Sequence, residues 1–192
     1  KDSPLGEKES IEDTAKVSSR YCDIIMARMF EHSNIEKLAE NSTVPVINGL
    51  TNEFHPCQIL SDLFTINERK KKLKGLKLAF VGDGNNNITH SLLEGCSLVG
   101  MDIAIGSPKG HLPKEPVVNI AENNAKKSGS KILITENAKK AVENADIVYA
   151  DSWMSYHIPK EQKEQRVKLF QPYQVNAKLM SYAKKDALFM NC

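Results

Sequence analysis

The sequence predicts an α/β protein with two lobes, each an open parallel sheet flanked by helices. Three observations predict this class. Short apolar segments alternate with amphipathic ones, the alternation restarts after a long helical segment that ends near residue 70, and polar loops follow several of the apolar segments. In an open parallel sheet, ligands bind at the carboxyl ends of the strands, so these loops hold the candidate functional residues.

Two helix-and-strand pairs make up the predicted first lobe. A helix is expected at 9–21, followed by a strand at 23–27 that leads into Arg28. A second helix at 33–40 leads to a strand at 44–47. If the two strands are parallel neighbours, Arg28 and the loop after the second strand share one edge of the sheet.

The second lobe repeats the alternation with more elements. Its strands are predicted at 76–81, 102–105, 131–135, 147–150 and 187–190. Its helices are predicted at 87–99, 117–127, 136–144, 159–170 and 176–183. We therefore predict a first lobe over 1–54, a connecting helix within 55–74 and a doubly wound second lobe over 75–192.

Composition excludes several classes of function. A net charge of +2 gives no reason to expect nucleic acid or an acidic membrane as partner, and no apolar run approaches the roughly 20 residues of a membrane span. The four cysteines stand singly, without the close pairs of zinc sites or disulfide frameworks. We expect a reduced, cytoplasmic protein with no metal and no cofactor.

The stretch His55-Pro56-Cys57-Gln58 opens the long helix and is the first candidate site. His55 and Gln58 both lie in its first turn, and Pro56 falls where a helix needs no amide donor. A helix N-terminus favours negative charge, so this stretch suits an anionic or strongly polar ligand. The competing interpretation is an ordinary helix start with a solvated histidine.

Three loops of the second lobe follow strands and form the second candidate site: 82–87, 151–157 and 191–192. Gly82-Asp83-Gly84 lacks the third glycine of the dinucleotide fingerprint, which disfavours a nicotinamide cofactor. Asparagine amides and the Asp151 carboxylate instead suit the charged groups of an amino acid. The alternatives are helix caps for the asparagines and Asp151, and a small buried side chain for Cys192.

These residues resemble a known family. His55-Pro56-Cys57-Gln58 is similar to the His-Pro-x-Gln motif with which carbamoyltransferases bind carbamoyl phosphate. Further similarity, to the ornithine branch of the aspartate/ornithine carbamoyltransferase family in particular, extends over 8–15, 46–56, 82–87 and 173–176. The resemblance covers essentially the whole chain, and it implies the carbamoyltransferase fold.

The resemblance also implies roles for individual residues. Carbamoyl phosphate would be contacted by Arg28, His55 and Gln58. Ornithine would be held by Asn87, Asp151, Ser155 and Tyr156. Cys192 matches a cysteine near the substrate and, with Arg28 and His55, completes the expected catalytic set.

The implied reaction transfers the carbamoyl group of carbamoyl phosphate to the side-chain amine of L-ornithine, giving L-citrulline and phosphate. The family's pattern implies a homotrimer, in the cytoplasm or, with a transit peptide, in the mitochondrial matrix. The family's Ser-x-Arg-Thr phosphate loop is not among the 192 residues, so we expect a central portion of a longer enzyme with little turnover alone.

Departures from the family's pattern leave alternatives open. Ser155-Tyr156-His157 stands where the family has Ser-Met-Gly, and Asn191 stands where it usually has histidine. Tyr156, with its added ring and hydroxyl, and His157 motivate a second hypothesis, a carbamoyltransferase for another amine such as putrescine. A third is a non-catalytic binding protein that kept the fold, and a Rossmann-type dehydrogenase is the most remote.

Overall fold

The computed structural model describes residues 9–154 and 158–192. Within them the chain forms two compact units that divide between Cys57 and Gln58. Both contain parallel strands with helices around them, which confirms the predicted α/β class. The predicted limits of the lobes and of the connecting helix stay a prediction.

Over its described part, residues 9–57, the first unit contains two complete helices and two strands. They are α1 (Ile11–Ser18), β1 (Ile25–Arg28), α2 (His32–Asn41) and β2 (Val46–Leu50). The strands pair in parallel, and the helices contribute the buried residues Ile11, Ala15 and Leu38 to a small core. Helix α1 is shorter than the predicted 9–21 at both ends. Ser10 caps its start, accepting the amide of Asp13 at 3.0 Å, and residues 19–21 form a turn after its end.

A break in strand register precedes Arg28. Ala27 is paired with Asn48 but Arg28 with Leu50, so Gly49 is an extra residue in β2. A Cβ atom at Gly49 would lie 2.7 Å from Met26 Sδ and 3.1 Å from the Ala27 carbonyl oxygen. A larger residue at position 49 would require Met26 to move and the strands to separate slightly, so glycine favours their close approach beside Arg28.

The second unit is a larger α/β layer structure that the chain enters along α3 (Pro56–Lys70). Its strands are β3 (Lys77–Val81), β4 (Asp102–Gly106), β5 (Ile132–Thr135), β6 (Ile147–Ala150) and β7 (Leu188–Asn191). Its other helices are α4 (Asn87–Val99), α5 (Glu115–Ser128), α6 (Ala138–Val142), α7 (Lys163–Phe170) and α8 (Ala177–Met180), with 3₁₀ turns at Lys160–Gln162 and Gln171–Tyr173.

The five strands are all parallel, in the order β5-β4-β3-β6-β7. The middle strand β3 is almost wholly buried, as expected for a sheet that is covered on both faces. The chain adds β4 and β5 on one side of β3 and returns to add β6 and β7 on the other. The carboxyl ends of β3 and β6 are therefore a topological switch point, where such sheets bind ligands.

Three helices of this unit are shorter than predicted. Helix α7 begins at Lys163 instead of 159, because Lys160–Gln162 form a 3₁₀ turn. Helix α6 occupies five residues of the predicted 136–144, since Asn137 caps its start and Asn144 has a left-handed φ of 56° just beyond its end. Helix α8 is a single turn that is capped by Asn176. No helix in the described ranges is long and apolar enough to cross a membrane.

Candidate functional site

The first unit places Arg28 and His55 at the carboxyl edge of its two-stranded sheet. Arg28 is the exposed last residue of β1, and His55 lies after β2, immediately before α3. Parallel pairing brings the carboxyl ends of both strands to one edge, as the sequence-based hypothesis required. The binding roles of both residues stay predictions.

Thr51 fixes the loop that carries His55. Its side chain is fully buried, and its hydroxyl accepts the amides of Glu53 at 3.3 Å and Phe54 at 3.1 Å. The Thr51 amide donates to the Phe54 carbonyl at 2.8 Å, and His32 Nδ1 lies 3.1 Å from the Thr51 hydroxyl. Sequence reasoning missed Thr51 and His32, although threonine at a strand end is a recognised turn signal.

Gln58 lies in the first turn of α3 and is held by a neighbour one turn later. Its Nε2 atom donates to Asp62 Oδ1 at 3.1 Å, and the Tyr149 hydroxyl donates to Asp62 Oδ2 at 2.7 Å. Asp62 is 5% exposed and Tyr149 is fully buried. Gln58 is thereby connected to β6 of the second sheet.

The second unit brings two of its three predicted loops into contact at the switch point. Asn86, in the loop after β3, donates its side-chain amide to Asp151 Oδ2 at 3.2 Å. Cys192 directly follows β7, whose Asn191 pairs with Ala150, so it lies at the same edge. The Asp151 carboxylate, the Asn86 amide and Cys192 thus lie at the same end of the sheet.

The pKa of Asp151 is raised, chiefly because burial disfavours its charged form. The amide of Ser152, 2.7 Å from Oδ1, acts in the opposite direction, and the nearby carboxylate of Asp83 raises the pKa further. A cation placed against Asp151 would relieve this cost. The electrostatics therefore favour a ligand with an ammonium group.

The asparagines divide their roles. Asn86 is the N-cap of α4, and its side-chain oxygen accepts the Thr89 amide at 2.7 Å while its amide group reaches Asp151. Asn87, the predicted ligand contact, is the first residue of α4 and is half-buried. The sequence-based alternative for this run, a helix cap, applies to Asn86, but the contact that Asn86 makes with Asp151 was missed.

A buried ion pair ties the two loops together. The Arg166 guanidinium on α7 pairs with Asp83, and Arg166 Nε donates to the Trp153 carbonyl at 2.6 Å. Arg166 and Asp83 are 9% and 7% exposed, and His111 Nδ1 lies 3.2 Å from the other oxygen of Asp83. Sequence reasoning placed Asp83 in a candidate loop without giving it a role, and it missed His111 and Arg166. Arg166 lies on a predicted helix, where a charged residue indicates a solvated face by default.

Gly84 has a packing role in the loop after β3. A Cβ atom there would lie 2.7 Å from the His111 carbonyl oxygen, and the Gly84 amide donates to Ser107 Oγ at 2.9 Å. The glycine is needed for close approach to the 107–111 loop. This explains the second glycine of the Gly-x-Gly sequence without a phosphate ligand.

The remaining predicted ligand contacts, Ser155 and Tyr156, lie outside the described residues, as does His157. Within the described ranges no group of three or more His, Cys, Asp or Glu side chains is arranged to hold a metal ion. The described candidate site therefore consists of hydrogen-bonding and charged side chains.

Comparison with known proteins gives the same family for both parts of the chain. Residues 74–192 match the family model described as aspartate/ornithine carbamoyltransferase, Asp/Orn binding domain. Residues 1–68 match the model described as aspartate/ornithine carbamoyltransferase, carbamoyl-P binding domain.

Individual relatives are named ornithine carbamoyltransferase. The chain is 50% identical over 191 residues to an ornithine carbamoyltransferase of Caldicellulosiruptor saccharolyticus, covering 100% of this chain and 61% of that protein. It is 49% identical to that of Bacillus subtilis, covering 100% and 60%. The solved ornithine carbamoyltransferase of Pyrococcus furiosus superposes with a TM-score of 0.93 at 46% identity, covering 98% of this chain and 59% of that one. The chain spans about three fifths of the length of these relatives.

Proposed function

This chain belongs to the aspartate/ornithine carbamoyltransferase family, and from that premise we propose that the protein containing it makes L-citrulline. The carbamoyl group would pass from carbamoyl phosphate to the side-chain amine of L-ornithine, with phosphate as the second product. The observation that carries the acceptor assignment is Asp151, a carboxylate of raised pKa at the switch point of the second sheet. Relatives named ornithine carbamoyltransferase at 49–50% identity support the same acceptor.

Arg28, His55 and Gln58 are the proposed contacts of carbamoyl phosphate. Arg28 supplies a permanent positive charge, and Pro56 begins α3 directly after His55, so the amides of the first helical turn stand beside the histidine. A helix N-terminus and an arginine both favour a phosphate group. Gln58 adds an amide, which can recognise the carbamoyl end of the same molecule.

Asp151 is the proposed partner of an ornithine ammonium group. Asn86 holds its carboxylate, and Asn87, Ser155 and Tyr156 complete the proposed set of contacts. Cys192, exposed at the end of β7, is the proposed residue beside the attacking amine. These side chains bind and orient an amino acid, and no covalent enzyme intermediate is required.

In the proposed reaction the lone pair of the neutral side-chain amine attacks the carbamoyl carbon. The new C–N bond forms as the bond from that carbon to the phosphate oxygen breaks, and phosphate leaves with the electron pair. The attacking nitrogen loses its extra proton in the same process. Arg28 and His55 would donate hydrogen bonds to the oxygen on which negative charge develops.

The test is a citrulline assay on the full-length protein, with carbamoyl phosphate and either ornithine or putrescine. We expect citrulline and phosphate in equal amounts, with ornithine preferred by kcat/KM. A preference for putrescine would reject ornithine as the acceptor. Absence of phosphate release with either amine would leave a binding protein in place of an enzyme.

Assembly and location are part of the same proposal. We propose a cytoplasmic homotrimer that functions in arginine metabolism, as the family's pattern implies. Light scattering after size exclusion measures the subunit number of the full-length protein, and a fluorescent fusion reports its location. A monomer at assay concentration, or an organellar signal, would contradict the corresponding part.

A further inference from the structure

Asp62 is a buried carboxylate that the proposed reaction leaves without a role. It lies on α3 one helical turn after Gln58, so both side chains face the same side of the helix. Its side chain is nearly inaccessible, with 5% exposure for the whole residue. A carboxylate buried this deeply needs hydrogen-bond donors. The donors to Asp62 therefore indicate its role.

Two donors reach Asp62 from different elements. Gln58 Nε2 lies 3.1 Å from Oδ1, and the Tyr149 hydroxyl on β6 lies 2.7 Å from Oδ2. Burial first, and then the hydrogen bond to Asp62, raise the pKa of Tyr149, so its hydroxyl stays protonated and keeps donating. The strand therefore anchors the carboxylate, and the carboxylate anchors the glutamine.

This arrangement selects one of the two orientations of the Gln58 amide. A carboxylate has only acceptor atoms, so the NH₂ end of the amide must face Asp62. The carbonyl oxygen is then turned to the opposite side. Without Asp62, the NH₂ and carbonyl ends would compete for both directions because they differ little in size.

A presented carbonyl oxygen distinguishes the two ends of carbamoyl phosphate. The phosphate end has only acceptor oxygens at its ionised positions and cannot donate to Gln58. The carbamoyl end has an NH₂ group with two donors. A fixed acceptor at Gln58 therefore complements the carbamoyl amino group.

We propose that Asp62 and Tyr149 are positioning residues that hold the Gln58 amide with its carbonyl oxygen toward the carbamoyl amino group. This inference rests on the proposed function, because it requires that Gln58 contact carbamoyl phosphate. Asp62 and Tyr149 do not touch the substrate themselves. They act through Gln58, so their effect must disappear when Gln58 is absent.

The test is a double-mutant cycle in the full-length enzyme, with Asp62→Ala, Gln58→Ala and the double variant. Asp62→Ala alone should lower kcat/KM for carbamoyl phosphate by about 10-fold to 100-fold, the range for a hydrogen bond to a charged group, and should leave KM for ornithine unchanged. In the Gln58→Ala background, the same change should cost less than about twofold. Equal losses in both backgrounds would overturn the proposal.

Asp146 provides a matched control. It is also 5% exposed, and it accepts hydrogen bonds from the Lys77 amide at 2.9 Å and Lys184 Nζ at 2.7 Å. Asp146→Asn should lower the unfolding midpoint without changing kcat/KM for carbamoyl phosphate. An equal kinetic loss in Asp146→Asn would show that general destabilisation explains the Asp62 effect, which would also overturn the proposal.

Milder variants keep the test decisive if Asp62→Ala does not fold. Asp62→Asn presents an NH₂ group as well as an oxygen, so it no longer selects one orientation of the Gln58 amide. Asp62→Asn and Tyr149→Phe should each lower kcat/KM only when Gln58 is present. An equal loss for Tyr149→Phe in both backgrounds would reject the positioning role.

The two proposals fail in distinguishable ways. If the unaltered enzyme forms no citrulline, the proposed function fails, and the proposed role of Asp62 fails with it. If the unaltered enzyme is active and the losses in the double-mutant cycle are additive, only the positioning role is rejected.

Discussion

At the scale of single residues, the second unit surrounds Asp151 with polar groups that are themselves buried. Asn86 holds its carboxylate directly, and Asp83 adds a like charge nearby. Arg166 neutralises Asp83 and holds the Trp153 carbonyl, so the chain on both sides of the switch point is fixed. The pKa of Asp151 therefore depends on its burial, on the adjacent Ser152 amide and on Asp83, which lies far away in the sequence.

Asp151 should give ornithine recognition an acid limb at higher pH than an ordinary aspartate. Its pKa is raised, so protonation removes the carboxylate's charge as the pH falls through that higher value. We expect kcat/KM for ornithine to fall there, and the limb to vanish in Asp151→Asn together with most of the affinity. The measurement is kcat/KM for ornithine against pH; an acid limb at the pKa of a free aspartate would contradict it.

The same shift has a consequence for stability. The folded state binds the Asp151 proton more tightly than the unfolded state, so this residue's contribution to stability falls as the pH rises from the unfolded to the folded pKa. The unfolding free energy of Asp151→Asn, relative to that of the parent, should therefore be higher at pH 7 than at pH 4. Urea unfolding at the two pH values measures the difference.

Arg166→Met should strongly destabilise the protein. It leaves Asp83, which is 7% exposed, as a buried charge without its guanidinium partner, and losses of about 3–5 kcal/mol follow from such changes. Lys168→Met on the same helix changes an exposed residue and should stay within about 0.5 kcal/mol. Equal urea midpoints for the two variants would show that the buried pair is not needed.

At the scale of elements, helix caps serve both folding and the candidate site. Asn86, Asn137 and Asn176 each cap a helix in the second unit by accepting a backbone amide. Such caps can be predicted from the sequence, since an asparagine before an apolar periodic segment is a local signal of a helix start. Only the contact between Asn86 and Asp151 gives one of these caps a further task.

Two cap variants separate these tasks. Asn86→Ala and Asn137→Ala should each cost about 1 kcal/mol of stability, because each leaves a helix amide without its acceptor. Only Asn86→Ala should also raise KM for ornithine, by several-fold, because it alone removes a hydrogen bond to Asp151. Thermal melts and ornithine kinetics on both variants measure the two effects; a matching rise in KM for Asn137→Ala would contradict this division.

Elements could be predicted from the sequence to the extent that they depend on local pattern. Apolar runs and their period located the strands of the second sheet, and the polar residues after them marked its ligand edge. Tyr149 and Asp62 are separated by 87 positions, and Arg166 and Asp83 by 83. No local pattern encodes such pairings, so Asp62, Asp83 and Arg166 became visible only when the strands were placed side by side.

At the scale of the whole molecule, the cysteines report on the two units. Cys22, Cys57 and Cys192 are exposed, and Cys96 is fully buried in α4. Burial, and to a lesser extent the charge of Asp62, raise the pKa of the Cys96 thiol to about 12. Since the thiolate is the reactive form, Cys96 is protected both by the core and by its protonation.

Thiol labelling at neutral pH should therefore modify three of these cysteines in the native protein and Cys96 only after unfolding. Peptide mass spectrometry after timed labelling identifies each site, and Cys96→Ser should remove the slow component alone. Labelling of Cys96 at the rate of Cys22 would mean that the second unit opens readily in its native state.

The strand order of the second unit also sets the sequence in which a nascent chain can build its sheet. β3 emerges first, and each later strand pairs with one already made: β4 on β3, β5 on β4, β6 on β3 and β7 on β6. During synthesis at about 5–20 residues per second, no strand has to wait for a later partner. The Asn86–Asp151 and Asp62–Tyr149 hydrogen bonds both require β6. A single docking event, β6 onto the open edge of β3, therefore completes both groups of side chains at once.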